Sequence, residues 1–437
     1  MRKYWILSLL LIGCERPFVE TSQPDLNVIQ PDMTQVQTSR VITIEVQSSH
    51  FRALEELLLN GAPMTLVPSG RGYWEISVGL RLGMNIFYLD ATDFEGVTNR
   101  DTIYTVYLPH NISLNAPSLP DGRGGHTLVR LNNGSLMVSG GARQRGGRAR
   151  KESFILTPNS RAFAEMDVYL REPRTGHTAN LLPDDRILIV GGSQVDGPSN
   201  VNDLIETVEI FDPNGDTPKF VNLPVRGQPI RRAYHTSTIR ASSDQLILDL
   251  IGGLGDIRYG ENPVLGTRQD IRSFRIESTQ LVAIHSLASA PLIFEPVSGH
   301  TVTQTRSNSY ILLGSQFFSG IHINANMNIT YSETLGLRFA PLPQLATPRT
   351  AHSTTRLLRE FAATFGGLGI ASDIVSHVDI YHEPTNQFFT LNPSSPMVPR
   401  HGHSAISTGS RSALLVGGFG PNGTATTASE YLFISSE

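Results

Sequence analysis

Between Asn111 and Glu437 the chain alternates short apolar runs with turns, in the grammar of β-hairpins. Thr127-Leu-Val-Arg-Leu131 leads into a turn at Asn132-Asn133-Gly134. A second apolar run, Ser135-Leu-Met-Val-Ser139, then closes on Gly140-Gly141. The same phrase recurs six times, each opening on a histidine: His126, His177, His235, His300, His352 and His403. From histidine to first glycine the interval is 14 residues in five units and 17 in the third, while the histidines recur every 51, 58, 65, 52 and 51 residues. A near-constant core with variable insertions is the signature of a repeat fold. After each glycine pair comes a loop, a third strand (152 to 158, 208 to 213, 271 to 277, 328 to 333, 378 to 384 and 430 to 435) and, near Phe163, Phe220, Leu281, Phe339 and Phe388, a fourth. Four short strands in each unit of roughly 50 residues predict a β-propeller blade.

These phrases resemble the Kelch repeat, in which an Arg-x-Gly-His-like step leads to a strand closing on Gly-Gly and a third strand ends near Tyr-Asp-Pro. Arg123-Gly-Gly-His126, Arg174-Thr-Gly-His177 and Arg400-His-Gly-His403 carry the first element, and Ile210-Phe-Asp-Pro213 and Ile380-Tyr-His-Glu-Pro384 the third. The Trp of the family's fourth strand is absent, since the only tryptophans are Trp5 and Trp74. The fourth unit is degenerate, with Val297 in place of arginine and Ser315 in place of the second glycine. The resemblance implies an all-β chain with a six-bladed Kelch-type propeller over residues 110–437. The chain ends at the third strand of the sixth unit, so residues 111–117 are expected to pair with 429–435 and close the ring.

Ahead of the repeats, Met1 to Cys14 combines a short basic region with an apolar run and the step Leu11-Ile-Gly-Cys14, the pattern of an export signal. It resembles the bacterial lipobox, which implies a signal peptide at 1–13, lipid attachment (palmitate among the acyl chains) at Cys14, and a lipid-anchored protein of the bacterial cell envelope, at the outer membrane. Cys14 is the only cysteine. Residues 14–39 are rich in Gln, Thr, Ser, Pro and Asp and predict a flexible tether. Alternating strands over 40–109 predict a small β-sandwich resembling bacterial immunoglobulin-like modules, including a strand ending at the Asn60-Gly61 turn. Within it Asp90, Asp93 and Glu95 read either as a calcium site or, by their spacing, as a hydrogen-bonded turn.

The net charge of −4 gives no global basic signal, so nucleic acid is not an expected partner. Two arginine groups have chemistry open to them. Arg123, Arg174, Arg232, Arg349 and Arg400 recur three residues before the histidine and form either a ligand-binding ring at a channel mouth or a set of structural bonds. Arg143, Arg145, Arg148 and Arg150 lie in one Gly/Arg loop that reads as a grip for an anionic polymer or as a solvated loop. The six histidines read as packing or turn-bonding groups. Galactose oxidase resembles this chain in pairing Kelch repeats with immunoglobulin-like modules, but its copper site requires a crosslinked cysteine. No nucleophile elbow, phosphate loop or metalloprotease helix is present. The reading is therefore a binding scaffold for protein or glycan, with no cofactor or metal and no assigned catalytic residue. The alternative is a carbohydrate-active, epimerase-like enzyme with its site at the channel mouth.

Overall fold

The computed structural model describes residues 23–48, 54–67, 72–227, 229–257, 263–284, 293, 295–306, 308–316, 319–321, 323–332, 336–393 and 397–435. Cys14 and the export signal lie outside the described residues. Two compact units emerge. One comprises 1–33, 41–80 and 85–104; the other comprises 34–40, 81–84 and 105–437.

The smaller unit is built on two four-stranded sheets. In the first, Leu26–Gln30, Val41–Ser48, Tyr73–Gly79 and Thr65–Leu66 lie side by side. In the second, the order is Ala62–Pro63, Leu54–Leu59, Gly83–Asp93 and Thr98–Tyr107. Burial alternates as strand geometry requires: Ile42, Ile44 and Val46 are buried, whereas Val41 and Thr43 are exposed. Asn60 (φ 50°) and Gly61 (φ 79°) form the expected tight turn. The tether expected at 14–39 is corrected over its described C-terminal part. Leu26–Gln30 is a strand paired antiparallel with Val41–Ser48. Further on, the Val36 N–H donates to the Thr390 carbonyl (2.8 Å) and the Thr390 N–H to the Thr34 carbonyl (2.7 Å). Backbone that finds sheet partners gains hydrogen bonds a free tether lacks.

The larger unit is all-β. Among the described residues, antiparallel sheets follow one another along the chain, four of them ordered simply as strands one to four. The first contains Thr127–Arg130, Leu136–Ser139, Ser153–Leu156 and Ala164–Glu165. In the third, Val225–Arg226 adds a parallel strand beside Leu281–Ala283, and Leu254–Asp256 and Leu265–Thr267 of its long loop form a small sheet with Arg232–Ala233, which precedes the first strand. The last sheet takes Ser404–Gly409, Ser412–Val416 and Ser429–Ile434 from the C-terminus and His110–Ser113 from the start of the unit. In that pairing Tyr431 faces Ser113 and Ile434 faces His110. Second strands are mostly apolar and buried, as in Ile187–Val190 and Phe361–Phe365, because both faces of these central strands are covered.

Successive sheets are joined by a closed circuit of backbone hydrogen bonds. The residue before each histidine (Gly125, Gly176, Tyr234, Gly299, Ala351 and Gly402) has positive φ and donates its N–H to the carbonyl of its counterpart in the preceding sheet, at 2.7–3.0 Å. Gly125 completes the circuit by donating to Gly402 at 2.7 Å. Positive φ is what turns each of these peptides toward its neighbour, and glycine adopts it without steric cost.

Candidate functional site

Each repeated residue has its place at a seam. His177 Nε2 meets Thr127 Oγ1 at 3.2 Å, and the pattern continues with His235 and Thr178 (3.2 Å), His300 and Thr236 (2.9 Å), His352 and Thr301 (3.0 Å) and His403 and Ser353 (2.7 Å). At the seam between last and first sheets the bond differs: Ser404 Oγ donates to the His126 carbonyl at 3.0 Å. All six histidines are buried, and burial drives every imidazole far toward its neutral form, His126 and His300 to a pKa of about 3. The glycine pair fits the same seam. A Cβ on Gly140 would lie 2.4 Å from the Arg174 carbonyl oxygen and 2.7 Å from His177 Cε1, so no larger residue fits without moving the next sheet.

The five recurrent arginines do not ring an open mouth: each is at most 1% exposed. Their guanidinium groups are occupied inside their own sheets. Arg174 donates to the Gly191 carbonyl (2.8 Å) and to Glu209 (2.5 Å); Arg400 donates to Gly417 (2.8 Å) and Glu430 (2.7 Å). Arg349 pairs with Asp379 at 2.5 Å, Arg232 with Asp270 at 3.1 Å, and Arg123 with Asp121 at 2.5 Å and Glu152 at 3.4 Å. Burial lowers Arg232 to about 10, still protonated at neutral pH, with Asp270 pulling the other way. As a ligand-binding set the five are therefore corrected to structural clamps, since their buried forks are engaged by carboxylate and carbonyl and present no accessible face to a ligand.

Sequence reading passed over the partners of these clamps, the acidic residues at the head of each third strand. Their signal was the coincidence in the fourth unit, where Val297 replaces arginine and the head of the third strand, Ala325-Asn326-Met327-Asn328, carries no acid. There Asn326 Oδ1 accepts the Gly314 N–H (3.0 Å) and its Nδ2 donates to the Pro343 carbonyl (2.9 Å). Ser315, in place of glycine, accepts the Ser298 N–H through Oγ at 3.0 Å.

The loop of blade-one arginines interlocks with both neighbours. Arg143 pairs with Asp121 (2.6 Å) and Arg150 with Glu152 (2.5 Å), whereas Arg145 and Arg148 are exposed. The Gly146 N–H donates to Asp196 (3.0 Å), whose other oxygen accepts the Tyr234 hydroxyl (2.7 Å), and the Arg145 N–H donates to the Gly423 carbonyl (2.8 Å). This loop borders a central cavity of about 260 Å³ over the ring of backbone bonds. Arg145, Asp196, Tyr234, Gln316, His401 and Phe419 bring its side-chain chemistry, with Leu254 and Leu368 as apolar wall. His401, two residues before the recurrent His403, lies tilted against Phe419 at 5.4 Å between ring centroids. Sequence reading singled out Arg145 but not His401, Tyr234 or Phe419, which come together only when the ring closes.

In the smaller unit, Asp93 Oδ1 accepts the N–H groups of Glu95 and Val97, each at 2.9 Å, and Asp90 pairs with Arg100. These bonds are those of a turn and a surface ion pair.

No protein-family model matches the chain. In sequence it is 24% identical over 328 residues to an F-box/kelch-repeat protein of Arabidopsis thaliana, covering 70% of this chain and 63% of that protein. The chain thus spans less than two thirds of the length of that relative. Among solved structures it is similar to YjhT, a Kelch-type propeller, with a TM-score of 0.54 and 14% identity over 72% of this chain and 96% of that one. The large unit is a Kelch-like propeller. Its sheets are blades, the circuit of backbone bonds lies at their inner ends, and the cavity is the mouth of the propeller's axis. Arginine clamps and histidine seams thus belong to the blade framework, and the loops after each glycine pair form the rim.

Proposed function

We propose that the chain is an interaction scaffold of the bacterial cell envelope: a six-bladed Kelch-type propeller, closed by its first strand and carried on an immunoglobulin-like module. Acyl chains on Cys14 hold it at the outer membrane, and the rim loops bind a protein, or a glycan it carries. The observation that supports this reading best is a division of labour among side chains. The recurrent arginines and histidines are buried in blade bonds, while the loops that vary between repeats hold the exposed ones, Arg145 and Arg148 among them. Variable loops on a rigid frame are the usual place for recognition. A Kelch-repeat relative and the export-and-lipobox pattern at Leu11-Ile-Gly-Cys14 support the two halves of the reading.

Two experiments test it separately. A photoreactive residue at Arg148 should crosslink discrete partners in whole cells, and one at the outer-strand residue Arg338 should not; equal patterns at both would sink the rim as recognition surface. Cys14→Ser should abolish labelling by radioactive palmitate and release the chain from the membrane fraction. A Cys14→Ser chain that still sediments with membranes would remove the anchor from the proposal.

A further inference from the structure

His401 is 5% exposed, yet among the described residues neither of its ring nitrogens has a hydrogen-bond partner, and the ring lines the central cavity. Every recurrent histidine except His126, by contrast, bonds a hydroxyl of the preceding blade through Nε2. Ring nitrogens without a protein partner leave one donor and one acceptor for a molecule in the cavity. Arg145 borders the same cavity from the blade-one loop. Like Arg148 of the same loop it is exposed and forms no ion pair among the described residues, whereas Arg123, Arg143, Arg150 and Arg174 are paired; of the two, Arg145 is the one that lines the cavity. The remaining wall near His401 is the Phe419 ring, with Leu254 and Leu368 contributing aliphatic surface elsewhere around the mouth.

We infer that the propeller mouth binds a small organic carboxylate with an apolar body, its carboxylate held between the Arg145 guanidinium and the His401 imidazole N–H and its body against Phe419. A guanidinium fork matches a planar two-oxygen group, which favours carboxylate over a lone hydroxyl or amide. His401 is held neutral by burial and by the charge of Arg145, so it offers one N–H donor rather than a second full charge. Asp196 shares the mouth, but its oxygens already accept from Tyr234 and Gly146, and burial raises its pKa, which lessens its repulsion of an anion. The cavity, about 260 Å³, accepts a ring or branched chain with one polar end and is too small for a folded partner. The inference goes beyond the scaffold reading and stands independently of the rim's protein partners.

Calorimetric titration of the full chain with benzoate, benzamide and inorganic phosphate tests it. Saturable binding of benzoate is expected, with at least tenfold weaker binding of both benzamide and phosphate. Arg145→Gln and His401→Leu should each weaken benzoate at least tenfold while leaving the thermal midpoint within a degree or two. Should His401→Leu disturb folding, His401→Gln serves as second variant, and Arg145→Gln alone still decides, because Arg145 is exposed. Equal affinity for benzoate and benzamide, equal affinity for phosphate, no saturable benzoate binding, or unchanged affinity in Arg145→Gln would each overturn the assignment. None of these outcomes bears on crosslinking at Arg148.

Discussion

The fourth repeat carries Val297 where the other five have an arginine and, at the head of its third strand, no carboxylate, so both members of the pair are lost together. That joint loss fits the energetics of a buried ion pair. Removing one member leaves an uncompensated charge and costs about 3–5 kcal/mol, whereas replacing both with neutral groups can be close to neutral. In the second blade Arg174 and Glu209 are both fully buried, 2.5 Å apart. Arg174→Val and Glu209→Asn should therefore each lower the thermal midpoint strongly, and the double variant, which like the fourth repeat lacks both charges, should melt well above the sum of the two losses. Strict additivity would show that the pair does not act as a unit. The arginine was legible in the sequence because it keeps a fixed distance from its histidine. Its acid was not, because the loop inserted between them varies: the partners are 29 residues apart in the first blade, 35 in the second and 38 in the third. A fixed phase is readable along a chain, and a partner reached across a loop of varying length is not.

At the level of strands, hairpins announced by a glycine pair or by Asn60-Gly61 could be read directly, since φ > 0 restricts which residues stand at such turns. Leu26–Gln30 could not. Its five residues carry no period of their own, and its pairing with Val41–Ser48 is decided by the partner strand. The last strand illustrates how much one element can carry. Ser429–Ile434 lies between Ser412–Val416 and His110–Ser113, buries Leu432 and Ile434, and brings Glu430 to Arg400. Burying two such aliphatic side chains is worth roughly 3–6 kcal/mol. A chain lacking residues 429–437 should melt at least several degrees lower and gain protease cleavage near residue 416, where a central strand becomes an edge. Glu430→Gln, which removes only the clamp's charge, should lose less. A truncated chain with an unchanged midpoint would mean that the two ends of the unit do not support each other.

Taken together, the seams make the propeller a ring of buried neutral imidazoles, and its stability should follow the protons that these rings refuse. Burial holds all six folded-state pKa values below the ordinary 6.5, with Arg123, Arg174, Arg232, Arg349 and Arg400 adding like-charge repulsion at five of the seams. His300 is shifted by burial alone. In the unfolded chain the same rings protonate near 6.5, so the unfolded state binds more protons and stability falls as pH drops from about 6.5 toward 3. For His126 and His300, whose folded values are about 3, the loss at pH 5 is about 2 kcal/mol each, at about 1.4 kcal/mol per pH unit. The other four shift in the same direction. Carboxylates held below their ordinary values by arginine, such as Asp270 and Glu152, lose their contribution only lower, below about pH 4. Between pH 6.5 and 5 the histidines therefore dominate among these groups. Thermal midpoints across that interval should fall steeply, and His300→Gln, which keeps a polar group near Thr236 but cannot titrate, should flatten the slope by close to one proton. A midpoint that stays level between pH 7 and 5 would show that the imidazoles gain protons without opening the seams.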